Sequence, residues 1–259
     1  MFKRFFSIQC HAWGLSDAGL IRTHNEDYLL INPENNLFLL ADGMGGHQAG
    51  EVASKMACNT VEKILLHNRD KIEQSPTAEA DSDDLPEVDT IIVAIEQTNK
   101  LIHNENKKQG LGNAKGMGTT LVGCWYLAEK KMALIFHTGD SRAYSIYKNN
   151  LSRITRDHSL LELWKDKSID GERPTSNVLT KALGPFEAVI PDVSLYPVKK
   201  GENILLCSDG LNNMLTDEEI LSTVIESKNN LKSAPQHLID QANQAGGEDN
   251  ISVILINFS

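Results

Sequence analysis

Three apolar runs in this chain end on an aspartate, and that coincidence constrains the fold more than any other feature. Leu37-Phe38-Leu39-Leu40-Ala41 runs into Asp42-Gly43, and Ile204-Leu205-Leu206-Cys207-Ser208 runs into Asp209-Gly210. Met132-Ala133-Leu134-Ile135-Phe136 leads through His137-Thr138-Gly139 to Asp140-Ser141. Apolar runs of this length, bounded by turn residues, read as buried strands rather than helices. A carboxylate at the end of a buried strand is costly unless its charge is compensated. One Asp-Gly alone is ordinary turn chemistry, but the repetition changes the balance. Asp249-Asn250 follows a Gly246-Gly247 turn, and Asp27 closes Arg22-Thr23-His24-Asn25-Glu26-Asp27. If these ends meet at one edge, at least four carboxylates crowd together, and like charges that close protonate or bind cations. Oxygen donors without cysteine or histidine favour Mg²⁺ or Mn²⁺ over zinc. A glycine after Asp42 lets a backbone carbonyl approach as a further oxygen donor.

The rest of the chain supplies a setting for those ends. Further strands are expected at 28–31, 119–127, 143–147, 193–198 and 251–258. Turn clusters such as Asn32-Pro33-Glu34-Asn35-Asn36 and Lys148-Asn149-Asn150 join neighbours at hairpin distance, which implies antiparallel sheets. Val52, Ala53, Met56, Ala57, Val61, Ile64 and Leu65 fall on one helical face, and Val88, Ile91, Ile92, Ile95 and Ile102 on another. Capping boxes at Thr216-x-x-Glu219 and Ser233-x-x-Gln236 announce two later helices. Residues 68–87, with Asp81, Asp83 and Asp84, read as a polar surface loop too short to be a linker between domains. The expectation is one α+β domain over 1–259.

Charge and cysteines narrow the function classes. With 25 Lys+Arg against 35 Asp+Glu the net charge is −10, the wrong sign for tracking nucleic acid or an anionic membrane surface. Cys10, Cys58, Cys124 and Cys207 form no CxxC pair and sit among apolar neighbours, which suits free thiols in a reducing, cytoplasmic compartment. The opening Met1-Phe2-Lys3-Arg4-Phe5-Phe6-Ser7-Ile8 lacks the apolar core of a signal peptide, and no run reaches membrane-spanning length.

Seven blocks, in one order, resemble the metal-dependent serine/threonine protein phosphatases of type 2C, in the style of their bacterial branch. They are Ser16-Asp17-x-Gly19-x-x-Arg22-x-x-Asn25-Glu26-Asp27, Ala41-Asp42-Gly43-Met44-Gly45-Gly46, Gly116-Met117-Gly118-Thr119-Thr120 and Gly139-Asp140-Ser141-Arg142, then Leu179-Thr180-Lys181-Ala182-Leu183-Gly184, Ser208-Asp209-Gly210 and Asp249-Asn250. The resemblance covers residues 14–257. It implies a central antiparallel β-sandwich with helices on both sides and a site for two Mn²⁺ or Mg²⁺ ions at one end. Carried over residue by residue, Asp42 bridges both ions, Asp209 and Asp249 complete the first, and the Gly43 carbonyl serves the second. Glu26 and Asp27 hold waters on the second ion, while Asp140 with Asp209 matches a weaker third site. Arg22 matches the arginine that grips the substrate phosphoryl group. Asp42, Asp209 and Arg22 are therefore the catalytic residues expected, acting on phosphoserine and phosphothreonine proteins with a hydroxide bridging two ions roughly 3.5–4 Å apart. The analogy further implies a serine/threonine kinase as counterpart, a signalling role, a monomer, and neither nucleic acid nor membrane as partner.

The chain departs from the pattern in two places. Eukaryotic members carry a histidine after Asp-Gly, where this chain has Met44, so no general acid is assigned there. The flap, 159–177, looks short, with Lys165, Lys167, Glu172 and Arg173 in place of a longer insert. His47 and His137 are expected in supporting rather than ligating roles; the role of His158, in Arg156-Asp157-His158-Ser159, stays open. Asp81-Ser82-Asp83 follows no strand, and neither a tyrosine-phosphatase cysteine loop nor a GxxxxGK[ST] loop occurs. The competing class is a non-catalytic regulatory module that keeps the fold and binds a partner.

Overall fold

A computed structural model describes residues 8–45, 49–73, 85–111, 116–167, 171–174 and 178–259, without the side chains of 69–73. The described residues form two five-stranded antiparallel sheets. The first joins β1 (Cys10–Asp17), β8 (Arg142–Tyr147), β9 (Asn150–Arg153), β11 (Glu202–Cys207) and β12 (Ile251–Phe258) in the order β1-β12-β11-β8-β9. The second joins β2 (Tyr28–Asn32), β3 (Leu37–Ala41), β6 (Leu121–Leu127), β7 (Met132–Thr138) and β10 (Asp192–Pro197) in the order β10-β7-β6-β3-β2. A two-stranded ribbon pairs β4 (Gly43–Met44) with β5 (Gly118–Thr119).

Strand β3 explains the layering. Its side chains alternate faces, so Phe38 and Leu40 enter the core between the sheets, with Val122, Ile135, Leu206, Ile254 and Phe258. Leu37, Leu39 and Ala41 face outward against α1 (Ala49–Glu73) and α2 (Pro86–Lys108). All five are fully buried, which is why the run is apolar without a break. The first sheet is covered by α4 (Asp209–Asn212), α5 (Asp217–Glu226) and α6 (Ala234–Gln244), packed on Leu205, Val253 and Leu255. The result is the helix-sheet-sheet-helix sandwich that the resemblance implies, built from the antiparallel sheets that the hairpin spacing implies. Truncating a ring such as Phe136, buried at 0% exposure, removes about 3–5 kcal/mol.

Several elements differ from the expectation. The extended segment at 119–127 is broken at Thr120, whose N–H turns to the Asp42 carbonyl at 2.8 Å. Strands β1 and β9 carried no apolar run, because β1 is interrupted by Gly14 and β9 is a four-residue polar edge. The polar stretch from 68 is narrower than expected, since α1 continues through Glu73 and α2 starts at Pro86; Asp81, Asp83 and Asp84 lie outside the described residues. Val52 is 49% exposed, at the margin of the helical face rather than in it. The Thr216 capping box forms, with both reciprocal bonds. The Ser233 box does not: Ser233 has helical dihedrals, its Oγ donates to the Asn230 carbonyl, and Gln236 bonds Asp240 instead. No described helix is long and apolar enough to cross a membrane.

Candidate metal centre

Chain direction brings the acidic strand ends to one pole of the sandwich. Strand β3 delivers Asp42 at its C-terminal end, β7 delivers Gly139-Asp140, and β11 delivers Asp209 at the start of α4. Antiparallel to β11, β12 begins just after Asp249-Asn250 at the same pole. The segment between β1 and β2 adds Arg22, His24 and Glu26. Arg22, His24, Glu26, Asp42, Asp140, Asp209, Asp249 and Asn250 line one cleft of about 660 Å³ with Gly43, Met44 and Thr120, and Val178, Leu179, Pro185 and Phe186 add apolar lining. Of the residues expected at the site, Arg22, Glu26, Asp42, Gly43, Asp140, Asp209 and Asp249 reach the wall. Asp27 does not. It lies behind it, 8% exposed, with Oδ2 accepting from the Ser208 hydroxyl at 2.8 Å. Gly46 and His47 fall outside the described residues, as do 168–170 and 175–177 of the flap, whose described portion includes α3 (Leu160–Lys165).

The backbone that aims these carboxylates is tied at several points that the motifs alone did not reveal. Thr120 accepts the Asp42 N–H through its Oγ1 at 3.0 Å and shares a hydrogen bond with Ser141 Oγ at 2.7 Å. Asn250 Oδ1 accepts the Glu26 N–H at 2.8 Å, while its Nδ2 donates to the Ala18 and His24 carbonyls at 3.0 and 2.9 Å. Asn106 on α2 brackets Met117 through both its N–H and carbonyl, at 2.9 and 2.8 Å. Asn99 accepts the Gly184 N–H at 2.8 Å. A side chain at Gly43 would collide with the Gly50 carbonyl and meet the Glu26 carbonyl at 2.5 Å, so only glycine lets the start of α1 and the segment before β2 close on it.

The electrostatics are those of a crowded acidic site. Burial, then the charges of Asp27, Asp209, Asp140 and Asp249, push the Asp42 carboxyl well above the ordinary range. Burial and the neighbouring Asp209 push Asp140 up to about 7. Burial also carries Asp27 to about 7, against the lowering effect of hydrogen bonds from Ser252 and Ser208. Asp209 is raised by burial and by Asp249, partly offset by a hydrogen bond with Asp42. Such a set holds protons or cations at neutral pH. Asp27 Oδ1, behind the wall, is buried with no hydrogen-bond partner, an unmet acceptor next to the acidic cluster. The donors are oxygens throughout, which suits Mg²⁺ or Mn²⁺. Arg22 reaches the group from the rim, Nη2 2.8 Å from Asp249 Oδ2.

His137 and His158 stay out of the cleft wall, stacked on each other with centroids 4.5 Å apart. His158 makes contacts to the Asp140 turn that sequence reasoning left without a role.

Comparison with known proteins shows what the chain as a whole is similar to. The model of the family described as Protein phosphatase 2C matches residues 22–243. The serine/threonine phosphatase stp of Listeria welshimeri is 37% identical over 257 residues, covering 95% of each chain. The protein phosphatase PhpP of Streptococcus pneumoniae is 33% identical, covering 95% of this chain and 96% of that one. Among solved structures, PppA of Pseudomonas aeruginosa superposes with a TM-score of 0.81 at 29% identity, over 98% of this chain and 99% of the other. The catalytic domain of the serine threonine protein phosphatase PstP, in complex with two manganese ions, superposes with a TM-score of 0.78 at 30% identity, over 97% and 99%.

Proposed function

The chain belongs to the protein phosphatase 2C family, and from that premise we propose that its acidic cleft removes phosphate from phosphoserine and phosphothreonine residues of proteins. The observation that carries this reading is the convergence of Asp42, Asp140, Asp209 and Asp249 with Arg22 on one cleft. Asp42 would bridge two divalent ions, manganese or magnesium, with Asp209 and Asp249 completing one and the Gly43 carbonyl and Glu26 serving the other. Asp140 with Asp209 would hold a weaker third. Asp27 acts from behind the wall, through Ser208 and its own charge.

When bound, such ions neutralise phosphate charge and lower the pKa of solvent water until it is a nucleophile near neutral pH. The chain's own residues do the rest. Arg22 offers a planar fork to two phosphoryl oxygens, which orients the ester and balances its charge. Met44 carries no exchangeable proton, so the proton for the departing serine or threonine oxygen comes from elsewhere, a water in the cleft or bulk solvent. Leu179, Pro185 and Phe186 form an apolar wall that shelters the ester. A phosphoserine on a protein is made by a kinase, so the chemistry calls for a serine/threonine kinase as counterpart in a signalling pair. We place the enzyme in the cytoplasm, as one catalytic domain acting as a monomer; its four free cysteines support a reducing compartment.

The test is hydrolysis of an aryl phosphate and of a phosphothreonine peptide with Mn²⁺. Turnover is expected to vanish with EDTA and to fall about a hundredfold or more in Asp209→Asn, since several kcal/mol of charge stabilisation goes with the ligand. Full Mn²⁺ uptake without turnover of either substrate would sink the enzyme and leave a regulatory binding module.

A further inference from the structure

The turn that carries Asp140 is gripped from both flanks by two consecutive residues, Asp157 and His158. On one side, the His158 N–H donates to the Gly139 carbonyl at 2.9 Å, and the Gly139 N–H donates to His158 Nδ1 at 3.2 Å. On the other, Arg142 Nε and Nη2 donate to Asp157 Oδ1 and Oδ2 at 2.9 and 2.7 Å, a bidentate fork. Gly139 has φ +105°, and a Cβ there would sit 2.6 Å from Thr120 Cγ2, so position 139 itself carries no side chain and is held through its backbone. His158 is 8% exposed and faces Asp192, Nε2 to Oδ1 at 3.2 Å; the same oxygen takes Lys181 Nζ at 2.8 Å.

His137, His158 and Asp192 have ligand atoms within 4.8 Å of one another, the outline of a cation site. The placement of protons argues against that use. Because His158 Nδ1 accepts from Gly139, its neutral ring carries hydrogen on Nε2, which lies 3.2 Å from Asp192 Oδ1 but makes no hydrogen bond. A cation on Nε2 would need that hydrogen on Nδ1, pointing donor against donor at the Gly139 N–H. The Gly139 contact fixes the ring in the tautomer that disfavours metal at Nε2.

We propose that Asp157 and His158 are positioning residues that clamp the Gly139–Asp140 turn, so that the Asp140 carboxyl is presented to the cleft ready to hold a cation. The proposal rests on the reading of Asp140 as a cation ligand. Partners that orient a metal ligand typically account for about tenfold to a hundredfold in metal affinity.

Calorimetric titration of Mn²⁺ into metal-free protein tests it, with aryl phosphate turnover as a parallel readout. Asp140→Asn identifies the component of the isotherm that depends on Asp140. His158→Leu is expected to weaken that component about tenfold, leave the remainder in place, and have no further effect in the Asp140→Asn background. Asn and Gln separate the two contacts. His158→Asn puts an amide oxygen near the Nδ1 position, where it accepts from Gly139, and is expected to restore wild-type binding. His158→Gln puts its amide near the Nε2 position, leaves nothing to accept from Gly139, and is expected to behave as His158→Leu. The clamp is overturned if His158→Leu lowers thermal stability but leaves the isotherm unchanged, if Asn fails as Leu does, or if the losses in the double variant add. An isotherm untouched by Asp140→Asn overturns it as well. Wild-type protein that takes up no Mn²⁺ and hydrolyses nothing would instead condemn the metal-dependent phosphatase reading itself.

Discussion

Arg22 is held to Asp249 by a contact at 2.8 Å, yet its side chain is 57% exposed. An ion pair that open to solvent contributes little, because water and salt screen it and two side chains lose freedom to make it. The guanidinium can therefore exchange a carboxylate for a phosphoryl group at small cost, whereas a fully buried pair would resist. The pairing also sets the arm on the side of the cleft where Asp249 ends, so the substrate would meet an arginine already in place. Charge-assisted hydrogen bonds of this type are worth about 1.5–3 kcal/mol. Arg22→Ala is expected to lower kcat/KM for a phosphopeptide about tenfold to a hundredfold, with Arg22→Lys recovering some of it, since an ammonium lacks the fork. Steady-state kinetics at saturating Mn²⁺ decide it. Unchanged kcat/KM in Arg22→Ala would return this residue to the role of a surface partner for Asp249.

At the level of elements, two sequence patterns of the same form had different outcomes. Thr216 accepts the Glu219 N–H at 3.3 Å while Glu219 Oε2 accepts the Thr216 N–H at 2.8 Å, so α5 starts with two of its free donors satisfied. Ser233 does neither, because the 3₁₀ turn of residues 231–233 runs into α6 and keeps its dihedrals helical. Thr216→Ala is expected to cost about 1 kcal/mol, and Ser233→Ala less than about 0.5 kcal/mol. Urea unfolding of the two variants measures both; an equal loss would mean that the pattern alone sets the cap. The same distinction governs what was legible. Strands β3, β7, β11 and β12 could be read because each carries an apolar run, and Asp42, Asp140 and Asp209 because each interrupts apolarity with charge. The edge strand β9 could not, since an edge needs no buried face. The clamp at Asp157-His158 was hidden for another reason: its targets, Arg142 and Gly139, are 15 and 19 residues away in sequence, and no local periodicity encodes such contacts. Thr120 and Asn250 stood inside recognisable blocks, but their work is done by hydrogen bonds to backbone atoms far along the chain.

For the whole molecule, the acidic pole makes stability depend on pH in an unusual direction. Asp27 and Asp140 each titrate at about 7 in the fold, against about 3.8 without its burial and neighbours. Asp42 and Asp209 are displaced the same way. A carboxyl raised in the fold binds more protons folded than unfolded, so its stabilising contribution is present at low pH and lost as pH rises through the folded value. His158 works in the opposite sense: burial lowers it to about 4 from 6.5, so between those values the unfolded chain binds the extra proton and stability rises with pH. His137 is lowered too, again chiefly by burial. Four carboxyls outnumber two imidazoles, and above pH 6.5 the imidazoles no longer contribute. Metal-free protein is therefore expected to lose thermal stability as pH rises from mild acid to about 7, with the Asp27 and Asp140 contributions levelling off above it. Mn²⁺ should reverse the slope, because cations displace the shared protons and bind more tightly as pH rises. Scanning calorimetry between pH 5 and 7.5, with EDTA or with Mn²⁺, separates the two curves, and Asp27→Asn should flatten the metal-free one. A metal-free Tm that climbs from pH 6 to 7.5 would mean that the carboxylates at this pole are far enough apart, or wet enough, to ionise together, and a site so relaxed would have no need of the cations assigned to it.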